Sequence, residues 1–460
     1  MTEIRTAVLL AAGEGTKFWP YNVVRNKVAF PIANVPAIRR IADELVHLGI
    51  RRLVVVVGHG EASVRAALRG CEGEVSYVRK PEPGGTAPAV VLAARGLDED
   101  LLVAAGDLVT ARENLLAVLD RFSEERPLAA ALVQPLGEES PRDWIVAYPD
   151  GDFLRGVEGH PRAGTYRLCG VYAFCPEALG YLRDNPGIMT SVPVGGMPPL
   201  EAEIAQSVQM MIDDGKVVSS VVAPGYHIDL DKPWHILEAN HQVINAMSAR
   251  LEEDVISASA QISDGADVRG RLVAGEDTVI GDRVVVAGDL WLGDGARVEN
   301  GAILEGPVVV GAGTAVKNYC LIGGHSSLGA RGVYGHGAEF GGVALDTVYC
   351  YHYCEVWGVV GQAVDFGAAT VCGNLRFDDA ETVWQIKGRA EVPTHAANAA
   401  YFGDYCRTGV NAIVMPGRRI GVYACLGPGV VAYDDVPDRQ LVLGKQELER
   451  RSWGPERYGW

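Results

Sequence analysis

The chain has 460 residues, 48 % of them apolar and 22 % charged, with a formal net charge of −17 at pH 7. This length is typical of two domains, and no apolar run is long enough for a membrane span. The negative charge disfavours nucleic acid as a partner but allows a local basic pocket for phosphates.

The start of the sequence lacks the pattern of a signal peptide, so we expect a cytoplasmic protein. Nine cysteines without C-x-x-C spacing predict free, buried thiols rather than disulfides or a zinc site.

The first half of the chain alternates short apolar runs with amphipathic stretches. TAVLLAAG, RLVVVVG and LLVAAGD have the length and composition of buried strands, and PAIRRIADELVHLGI has the pattern of a helix. This alternation predicts an open, Rossmann-like α/β sheet. Ligands bind beyond the carboxyl ends of the strands in such sheets, so the loops after Leu10 and Ala105 are candidate sites.

The loop after the first strand combines glycine with positive charge. It contains Gly13, Gly15, Thr16 and Lys17, and Lys27 follows ten residues later. Free backbone N–H groups in such a loop can bind phosphate oxygens, although the glycines alone are also typical of a simple turn. A dinucleotide loop would have Gly or Ala at position 18, which is phenylalanine here, and a P-loop would have Gly-Lys-Ser/Thr instead of Gly-Thr-Lys.

The segment LAAGEGTKFWP, followed by RNKVAFP, resembles the signature of sugar-1-phosphate nucleotidylyltransferases, L-A-A-G-x-G-T-R-x-x-P followed by P-K-x-x-x-P. Two positions differ, because Lys17 replaces the arginine and Asn26 replaces the proline before Lys27. A lysine lacks the bidentate fork of arginine, so we expect a nucleotide affinity or turnover different from that of the family. The resemblance implies that Lys17 and Lys27 are catalytic and that the nucleoside triphosphate is bound by Leu10, Ala11, Gly13, Gly15 and Thr16.

The segment KPEPGGTA resembles the base-reading loop Q-P-x-P-x-G-T-A of the same family, which places Gly85 and Thr86 near the base. Lys80 stands where a glutamine commonly recognises uracil or thymine. A lysine only donates hydrogen bonds and cannot accept one from the imide N–H of those bases. Lys80 therefore favours a cytosine or guanine nucleotide, unless it is simply a solvated surface residue.

Two aspartates are candidate metal ligands. Asp107 ends the strand LLVAA, and Asp229 in GYHIDLDKP occupies the aspartate position of the family segment W-x-D-x-x-T-P. The resemblance implies that Asp107 and Asp229 bind Mg²⁺ together with nucleotide phosphates, which suits an ion that keeps much of its water.

The predicted sugar site departs more from the family. Glu158 in GVEG matches V-E-K, but the lysine is replaced by glycine, and LCGVY replaces N-x-G-I-Y around Gly170. We expect Glu158 and Gly170 to bind the sugar phosphate, with Arg142, Arg167 or Tyr166 as alternative groups. The lost lysine and asparagine indicate a sugar other than the commonest hexosamine phosphate.

The second half has an apolar residue at every sixth position from 256 to 340. This period predicts short strands and turns stacked into a parallel β-solenoid. Glycine follows the periodic residue at eight positions, where we expect a tight bend. The pattern resembles the left-handed parallel β-helix of hexapeptide-repeat acyltransferases, which implies a homotrimer or a dimer of trimers. The periodic residues are Ile256, Ile262, Val268, Ala274, Ile280, Val286, Leu292, Val298, Leu304, Val310, Val316, Ile322, Leu328, Tyr334 and Phe340.

Residues 364–379, VDFGAATVCGNLRFDD, and 407–417, RTGVNAIVMPG, resemble archaeal-type bifunctional sugar-1-phosphate nucleotidylyltransferase/acetyltransferases, which are N-acetylglucosamine-1-phosphate uridylyltransferase-like. The resemblance implies that acetyl-CoA is a second substrate and that Asn374 contributes to acyl transfer. In those relatives a catalytic histidine precedes the asparagine of N-L-R-F-D by a fixed interval. Counted back from Asn374, that interval ends at Tyr351, one residue before His352. A one-residue offset reverses the face of a strand, so His352 could serve as the base only if the register slips locally.

The sequence thus predicts a nucleotidylyltransferase domain at 1–250, a β-helix at 251–436 and a tail at 437–460. We expect Mg²⁺-dependent transfer from a nucleoside triphosphate to a sugar 1-phosphate, with release of pyrophosphate. One alternative is a catalytically diverged nucleotide-sugar sensor. Another is an enzyme acting mainly as an acetyl-CoA-dependent amino-sugar acyltransferase.

Overall fold

The computed structural model describes residues 4–81, 84–189 and 201–458. An α/β domain extends to the end of a long helix at Arg250, and a series of short parallel strands begins at Val255. The predicted combination of an α/β domain with a β-helix is confirmed. None of the helices in these ranges is both long and apolar enough to cross a membrane. All nine cysteines are free, and six of them are buried, as expected.

The amino-terminal domain is built on a nine-stranded mixed sheet in the order β5-β4-β1-β6-β11-β8-β12-β10-β9. Its helices cover both faces of the sheet, and three short 3₁₀ helices span Thr16–Phe18, Lys27–Ala29 and Pro141–Asp143. The α-helices are α1 (Ala37–His47), α2 (Glu61–Ala67), α3 (Ala87–Ala93), α4 (Arg112–Glu125), α5 (Ala178–Arg183), α6 (Ile204–Asp213) and α7 (His235–Arg250). The strands are β1 (Thr6–Ala11), β2 (Pro31–Ile32), β3 (Val35–Pro36), β4 (Arg52–Val57), β5 (Glu74–Arg79), β6 (Leu101–Ala105), β7 (Leu108–Thr110), β8 (Ala129–Pro135), β9 (Ile145–Asp150), β10 (Phe153–Gly159), β11 (Tyr166–Phe174), β12 (Val218–Val222) and β13 (His227–Asp229).

The central strands are apolar on both sides because two cores enclose them. On β1, Ala7 and Leu9 pack into the core that contains α1 and α4, whereas Val8 packs into the core that contains α3 and α6. Strands β1 and β6 are parallel neighbours and end at the same edge, where the Gly106 N–H donates to the Leu10 carbonyl at 2.9 Å. The two candidate loops therefore meet, as the topology of an open sheet requires.

The second domain is a β-helix with three strands per coil. Up to the first irregularity, each strand pairs in parallel with the strand eighteen residues further on, as Val255 does with Val273 and Arg297 does with Ala315. The strands up to the first irregularity are β14 (Val255–Ile256), β15 (Gln261–Ile262), β16 (Asp267–Val268), β17 (Leu272–Ala274), β18 (Val279–Ile280), β19 (Val285–Val286), β20 (Leu290–Leu292), β21 (Arg297–Val298), β22 (Ile303–Leu304), β23 (Val308–Val310), β24 (Ala315–Val316), β25 (Leu321–Ile322), β26 (Ser327–Leu328) and β27 (Val333–Tyr334).

The six-residue period corresponds to the interior of the β-helix. Val286, Leu304 and Ile322 are completely buried, and only at the open first coil is a periodic residue exposed, as Ile256 is at 46 %. The expectation that the glycines lie at tight bends is confirmed at Gly293, the first residue of a turn in which its carbonyl accepts from the Ala296 N–H at 3.0 Å. A side chain at Gly293 would come within 2.7 Å of the backbone N of Ala312 in the next coil, so glycine is needed for close stacking. The left-handed bend lies two residues later, at positions such as Gly295 and Tyr319.

The repeat changes phase after residue 340 because two coils are shorter. Strands β28 (Glu339–Ala344) and β30 (Glu355–Val360) each run on through a corner, at Gly342 and Gly358 with φ of 116° and 147°. Their partners are sixteen residues apart, as Glu339 and Glu355 are. Each of these coils is thus two residues shorter, and a one-residue slip that brings His352 to the position of Tyr351 stays a prediction.

A second irregularity is an insertion into the next coil. Val360 pairs with Phe402, 42 residues later instead of 18, so 24 extra residues lie between them. They include an antiparallel hairpin of β33 and β34, which we refer to as the solenoid hairpin. The remaining strands are β29 (Tyr349–Cys350), β31 (Asp365–Phe366), β32 (Val371–Cys372), β33 (Trp384–Ile386), β34 (Arg389–Glu391), β35 (Ala400–Phe402), β36 (Arg407–Thr408), β37 (Ile413–Val414), β38 (Arg419–Ile420), β39 (Cys425–Leu426), β40 (Val431–Ala432) and β41 (Leu441–Val442).

The β-helix ends slightly later than the sequence indicated. Strand β41 pairs in parallel with β39, so the ladder extends to Val442, beyond the expected boundary at 436. The rest of the described tail is largely exposed and contains one short helix, α8 (Pro455–Tyr458).

The two domains share an apolar core. Trp234 of the first domain packs with Val359, Trp384 and Tyr401 of the second. The Tyr21 hydroxyl donates to the Val359 carbonyl at 2.7 Å. These contacts bring the solenoid hairpin next to the first domain.

Candidate active site

The glycine-rich loop after β1 leaves space for a ligand at one glycine and needs close packing at the other. A Cβ at Gly13 would have no neighbour within 4 Å. Gly15 has a φ of 60°, and a Cβ there would lie 3.2 Å from the Cβ of Lys27. Gly15 therefore both turns the chain into the 3₁₀ helix that carries Lys17 and lets the Lys27 segment approach.

Asn26, which replaces the proline of the resembled signature, holds Lys27 in place. Its side chain is buried, and its amide donates to the carbonyls of Ala11, Gly13 and His59 at 3.1, 3.2 and 2.7 Å. Its Oδ1 accepts from the N–H of residue 28 at 3.1 Å, which caps the 3₁₀ helix that begins at Lys27. A hydrogen-bonded asparagine thus ties the two cationic segments together.

Lys27 lies between the two predicted metal ligands. Its Nζ is 2.5 Å from Oδ2 of Asp107 and 4.0 Å from Oδ1 of Asp229. Strand β13 pairs antiparallel with β7, with Asp229 opposite Leu108, and this pairing brings the two carboxylates together. Burial acts to lower the pKa of Lys27, but the carboxylates of Asp107 and Asp229 outweigh it and raise the pKa, so Lys27 is a cation.

Asp231 is part of this cluster, although the sequence analysis did not select it. Its Oδ2 is 3.1 Å from Nζ of Lys17 and 3.7 Å from Nζ of Lys232. Burial alone would raise the pKa of Asp231, but Lys27, Lys17 and Lys232 together hold it well below its usual value. Its position two residues after Asp229, within the same resembled segment, is the signal that could have identified it.

The carboxylates suit a divalent cation. Oδ1 of Asp229 is buried and has no hydrogen-bond partner, and burial followed by the negative charge of Asp107 raises the pKa of Asp229 to about 7. A cation between the two carboxylates would relieve both effects. The described residues contain no group of three or more potential His, Cys, Asp or Glu ligands, so the other ligands would be phosphate and water oxygens. Mg²⁺ commonly binds in this way.

The predicted base-reading residues also lie together. Nζ of Lys80 donates to the Gly85 carbonyl at 2.6 Å, and Oγ1 of Thr86 donates to Oε2 of Glu203 at 2.7 Å. Gly85 has a φ of 89°, and a Cβ there would collide with the backbone of Ala202. Burial lowers the pKa of Lys80, an effect that the carboxylate of Glu203 opposes. Residues 82 and 83 of this loop are outside the described ranges.

A cavity of about 1070 Å³ is lined by Lys17 at one place and by Glu203, the hydrogen-bond partner of Thr86, at another. Arg142 lies in its wall, as one of the alternatives for the sugar site. Arg167 is buried instead: its guanidinium lies 3.9 Å from the ring centroid of Trp144 and donates to Gln134 and to the His227 carbonyl. The wall residues are Lys17, Glu138, Glu139, Ser140, Arg142, Asp143, Trp144, Ile145, Gly159, His160, Arg162, Met189, Glu201, Glu203, Lys232, Trp234, His235, Arg389, Ala390, Glu391, Val392, Pro393 and Thr394.

The two residues predicted for the sugar phosphate are not in this wall. Glu158 precedes the wall residue Gly159 and accepts a 2.7 Å hydrogen bond from the Tyr148 hydroxyl. Gly170 has a φ of 67° in an irregular stretch of β11, where a Cβ would come 3.4 Å from the Cβ of Ala105. Gly170 supports the strand that precedes Asp107.

The predicted acyl-transfer residues are only partly together. Tyr351 and His352 lie in the turn after β29 and are exposed, so the argument about opposite faces of a strand does not apply. Both border a pocket of about 340 Å³, which Tyr319 and His336 also line. Asn374 is exposed but is not part of the wall of that pocket.

Comparison with known proteins supports the resemblance. The chain is 25 % identical over 437 residues to the bifunctional sugar-1-phosphate nucleotidylyltransferase/acetyltransferase of Sulfurisphaera tokodaii, covering 94 % of this chain and 98 % of the relative. It is 27 % identical over 462 residues to bifunctional protein GlmU of Methanococcus maripaludis, covering 96 % and 98 %. Among solved structures, UDP-glucose pyrophosphorylase from Acinetobacter baumanii aligns at 18 % identity and a TM-score of 0.45, over 54 % of this chain and 95 % of that one.

The family model described as nucleotidyl transferase matches residues 6–246. This match covers more than half of the chain and includes the glycine-rich loop, the base loop and the carboxylates. The chain therefore belongs to the nucleotidyl transferase family of enzymes.

Proposed function

We propose that the chain is a Mg²⁺-dependent sugar-1-phosphate nucleotidylyltransferase, which forms an NDP-sugar and pyrophosphate from a nucleoside triphosphate and a sugar 1-phosphate. The main support is the cluster in which Lys27 lies between Asp107 and Asp229, next to the loop that carries Lys17. The name of the relative from Sulfurisphaera tokodaii is consistent with this substrate class.

The proposed reaction is an in-line attack of the sugar phosphate oxygen on the α phosphorus of the nucleotide. That oxygen is already anionic, so the protein needs to position the reactants and neutralise their charge. The backbone from Gly13 to Thr16, with Lys17, would bind the β and γ phosphates, while Lys27 would bind the reacting phosphates. Asp107 and Asp229 would hold Mg²⁺, which when bound supplies positive charge to the phosphate oxygens.

Lys80 is the proposed determinant of the base. Its ammonium is held near the loop backbone by the Gly85 carbonyl. A donor in this position can bind N3 and O2 of cytosine, or N7 and O6 of guanine, but it opposes the imide N–H of uracil. We therefore propose a cytidine or guanosine triphosphate as the preferred nucleotide.

The test is pyrophosphate release with each of the four nucleoside triphosphates, a panel of sugar 1-phosphates, and either Mg²⁺ or a chelator. Mg²⁺-dependent release with at least one pair would support the proposal. Tight nucleotide binding without release for any pair would instead favour the nucleotide-sugar sensor.

A second activity, acyl transfer, is proposed for the pocket bordered by Tyr351 and His352. The pocket supports it, whereas the absence of Asn374 from its wall in a single chain counts against it. Thiol release from acetyl-CoA with amino-sugar phosphates, measured for the wild type, Tyr351→Ala and His352→Ala, would decide the question. Equal rates with and without the enzyme would exclude this activity.

Self-association through the β-helix is also proposed. Leu375 and Phe377, in the inserted segment, are 79 % and 103 % exposed. Covering them with a second copy of the chain would remove this apolar surface from water. The particle mass in solution should correspond to three or six chains, and a monomer would contradict the proposal.

A further inference from the structure

The solenoid hairpin is firmly anchored. Trp384 and Ile386 on β33 are 3 % and 4 % exposed. The Trp384 ring packs edge-on against Trp234 and Tyr401, with ring centroids 5.0 and 4.9 Å apart, and its Nε1 donates to the Ala397 carbonyl at 3.0 Å. The hairpin is therefore a fixed part of the interface between the two domains.

Two ion pairs connect the second strand of the hairpin to the nucleotidyl transferase domain. Glu391 Oε2 is 2.6 Å from Nζ of Lys232, and these side chains are only 9 % and 5 % exposed. Arg389 Nη2 is 2.5 Å from Oδ1 of Asp143. Since Lys232 also lies 3.7 Å from Asp231, which pairs with Lys17, charged groups run without a break from the hairpin to the proposed phosphate loop.

The hairpin forms one wall of the large cavity. Arg389, Glu391 and residues 392–394 line the same 1070 Å³ as Lys17, Arg142 and Trp144. A small-molecule site is typically a cleft of about 300 to 1,000 Å³ that encloses most of its ligand. Without this wall, the cavity would be open on the side that faces the β-helix.

Arg389 can still bind a ligand from this position. Its side chain is 52 % exposed. Both of its recorded hydrogen bonds within the described ranges, to Asp143 and to the Arg142 carbonyl, use Nη2. The donors on Nε and Nη1 remain for a polar group in the cavity, and a guanidinium is well suited to hydroxyl and carboxylate oxygens.

We infer that the solenoid hairpin is the outer wall of the sugar 1-phosphate site, and that Arg389 selects among sugars by binding oxygen substituents remote from the phosphate. This inference rests on the proposed nucleotidyl transfer. Its consequence is that the β-helix, a domain outside the family match, helps to determine which sugar the first domain accepts.

The experiment compares full-length Arg389→Ala with Lys387→Ala, a matched control on the exposed tip of the same hairpin that does not line the cavity. For each, KM is measured for the nucleoside triphosphate and for a panel of sugar 1-phosphates, together with the thermal midpoint. We expect Arg389→Ala to raise KM for the preferred sugar phosphate about tenfold, the effect of losing one charged hydrogen bond, and to change the ranking of the panel. KM for the nucleotide and the thermal midpoint should not change, and Lys387→Ala should behave like the wild type.

Two results would overturn the inference while leaving the proposed function intact. One is an Arg389→Ala enzyme with the same sugar KM and ranking as Lys387→Ala. The other is an equal rise in KM for nucleotide and sugar, accompanied by a lower thermal midpoint, which would indicate a structural role only. A wild type that releases no pyrophosphate with any pair would refute the proposed function, and the inference with it.

Discussion

The interior of the β-helix and the charged cluster beside the nucleotide loops of the first domain are built in opposite ways. Fully buried apolar residues such as Val286, Leu304 and Ile322 occupy the β-helix interior, one above another. In the charged cluster, the side chains of Lys27 and Asp229 are 13 % and 32 % exposed, and one carboxylate oxygen has no hydrogen-bond partner.

The two regions therefore have separate roles: the interior of the β-helix stabilises the fold, and the charged cluster is suited to chemistry. The apolar side chains of the repeat are buried against one another within the chain, so a ligand would add little stabilisation. Enclosed charges that are incompletely paired cost free energy until a ligand or an ion completes them. The solenoid hairpin interrupts the repeat of the β-helix, and its charged side chains form ion pairs with residues of the first domain.

The strongest test of this separation is Asp107→Asn. Loss of one carboxylate from the proposed metal site should reduce Mg²⁺-dependent pyrophosphate release about a thousandfold while leaving the fold intact. The exposed Asp98→Asn is the matched control and should retain wild-type turnover. Measured by pyrophosphate release and circular dichroism, unchanged turnover in Asp107→Asn would contradict the assignment of this residue.

Removal of the buried cation should affect stability as well as catalysis. Lys27→Met leaves Asp107 and Asp229 without a positive neighbour, so the free energy of unfolding should fall by about 3 kcal/mol in a chelating buffer. Mg²⁺ should restore part of the loss, because it can take the place of the ammonium. Denaturant unfolding with and without Mg²⁺ measures both effects. The exposed Lys216→Met is the control, and an equal loss in both variants would argue against a charge cluster.

The stability of the β-helix should depend on the packing of its apolar side chains and not on charge. Leu304→Ala removes a fully buried side chain, whereas its neighbour Ile303 is 43 % exposed. We expect a loss of about 2 to 3 kcal/mol for Leu304→Ala, and much less for Ile303→Ala. Denaturant unfolding gives the stabilities, and KM for the nucleotide should be unchanged in both variants. A rise in that KM for Leu304→Ala would show that the two regions are energetically coupled.

The smallest expected effect concerns the base. Lys80→Gln introduces an acceptor for the imide N–H of uracil, so the ratio of kcat/KM for UTP to that for CTP should rise about tenfold. Arg79→Gln, at the preceding and largely exposed position, is the control and should leave the ratio unchanged. The same ratio in Lys80→Gln and the wild type would place Lys80 outside the base site.

The proposed catalytic cluster shows how far sequence reasoning could reach. Lys27, Asp107 and Asp229 each occupy a position of a resembled motif, and the structure places a carboxylate oxygen of both aspartates within 4.0 Å of Lys27 Nζ. Asp231 lies in the segment GYHIDLDKP but at an unspecified position of W-x-D-x-x-T-P, so the motif does not single it out. Glu158 was selected from a motif, yet its neighbour Gly159 is the residue that lines the cavity.

The sequence by itself determined the elements whose pattern is local: the alternating strands and helices, the six-residue repeat, and the loops at strand ends. These follow from side-chain periodicity and from glycine positions, which act within a few residues. Only the tertiary structure decided that Arg389 and Glu391 lie beside Asp143 and Lys232. The physical reason is that this contact depends on the length of an insertion and on the packing of two domains. Neither of these produces a periodic pattern in the sequence.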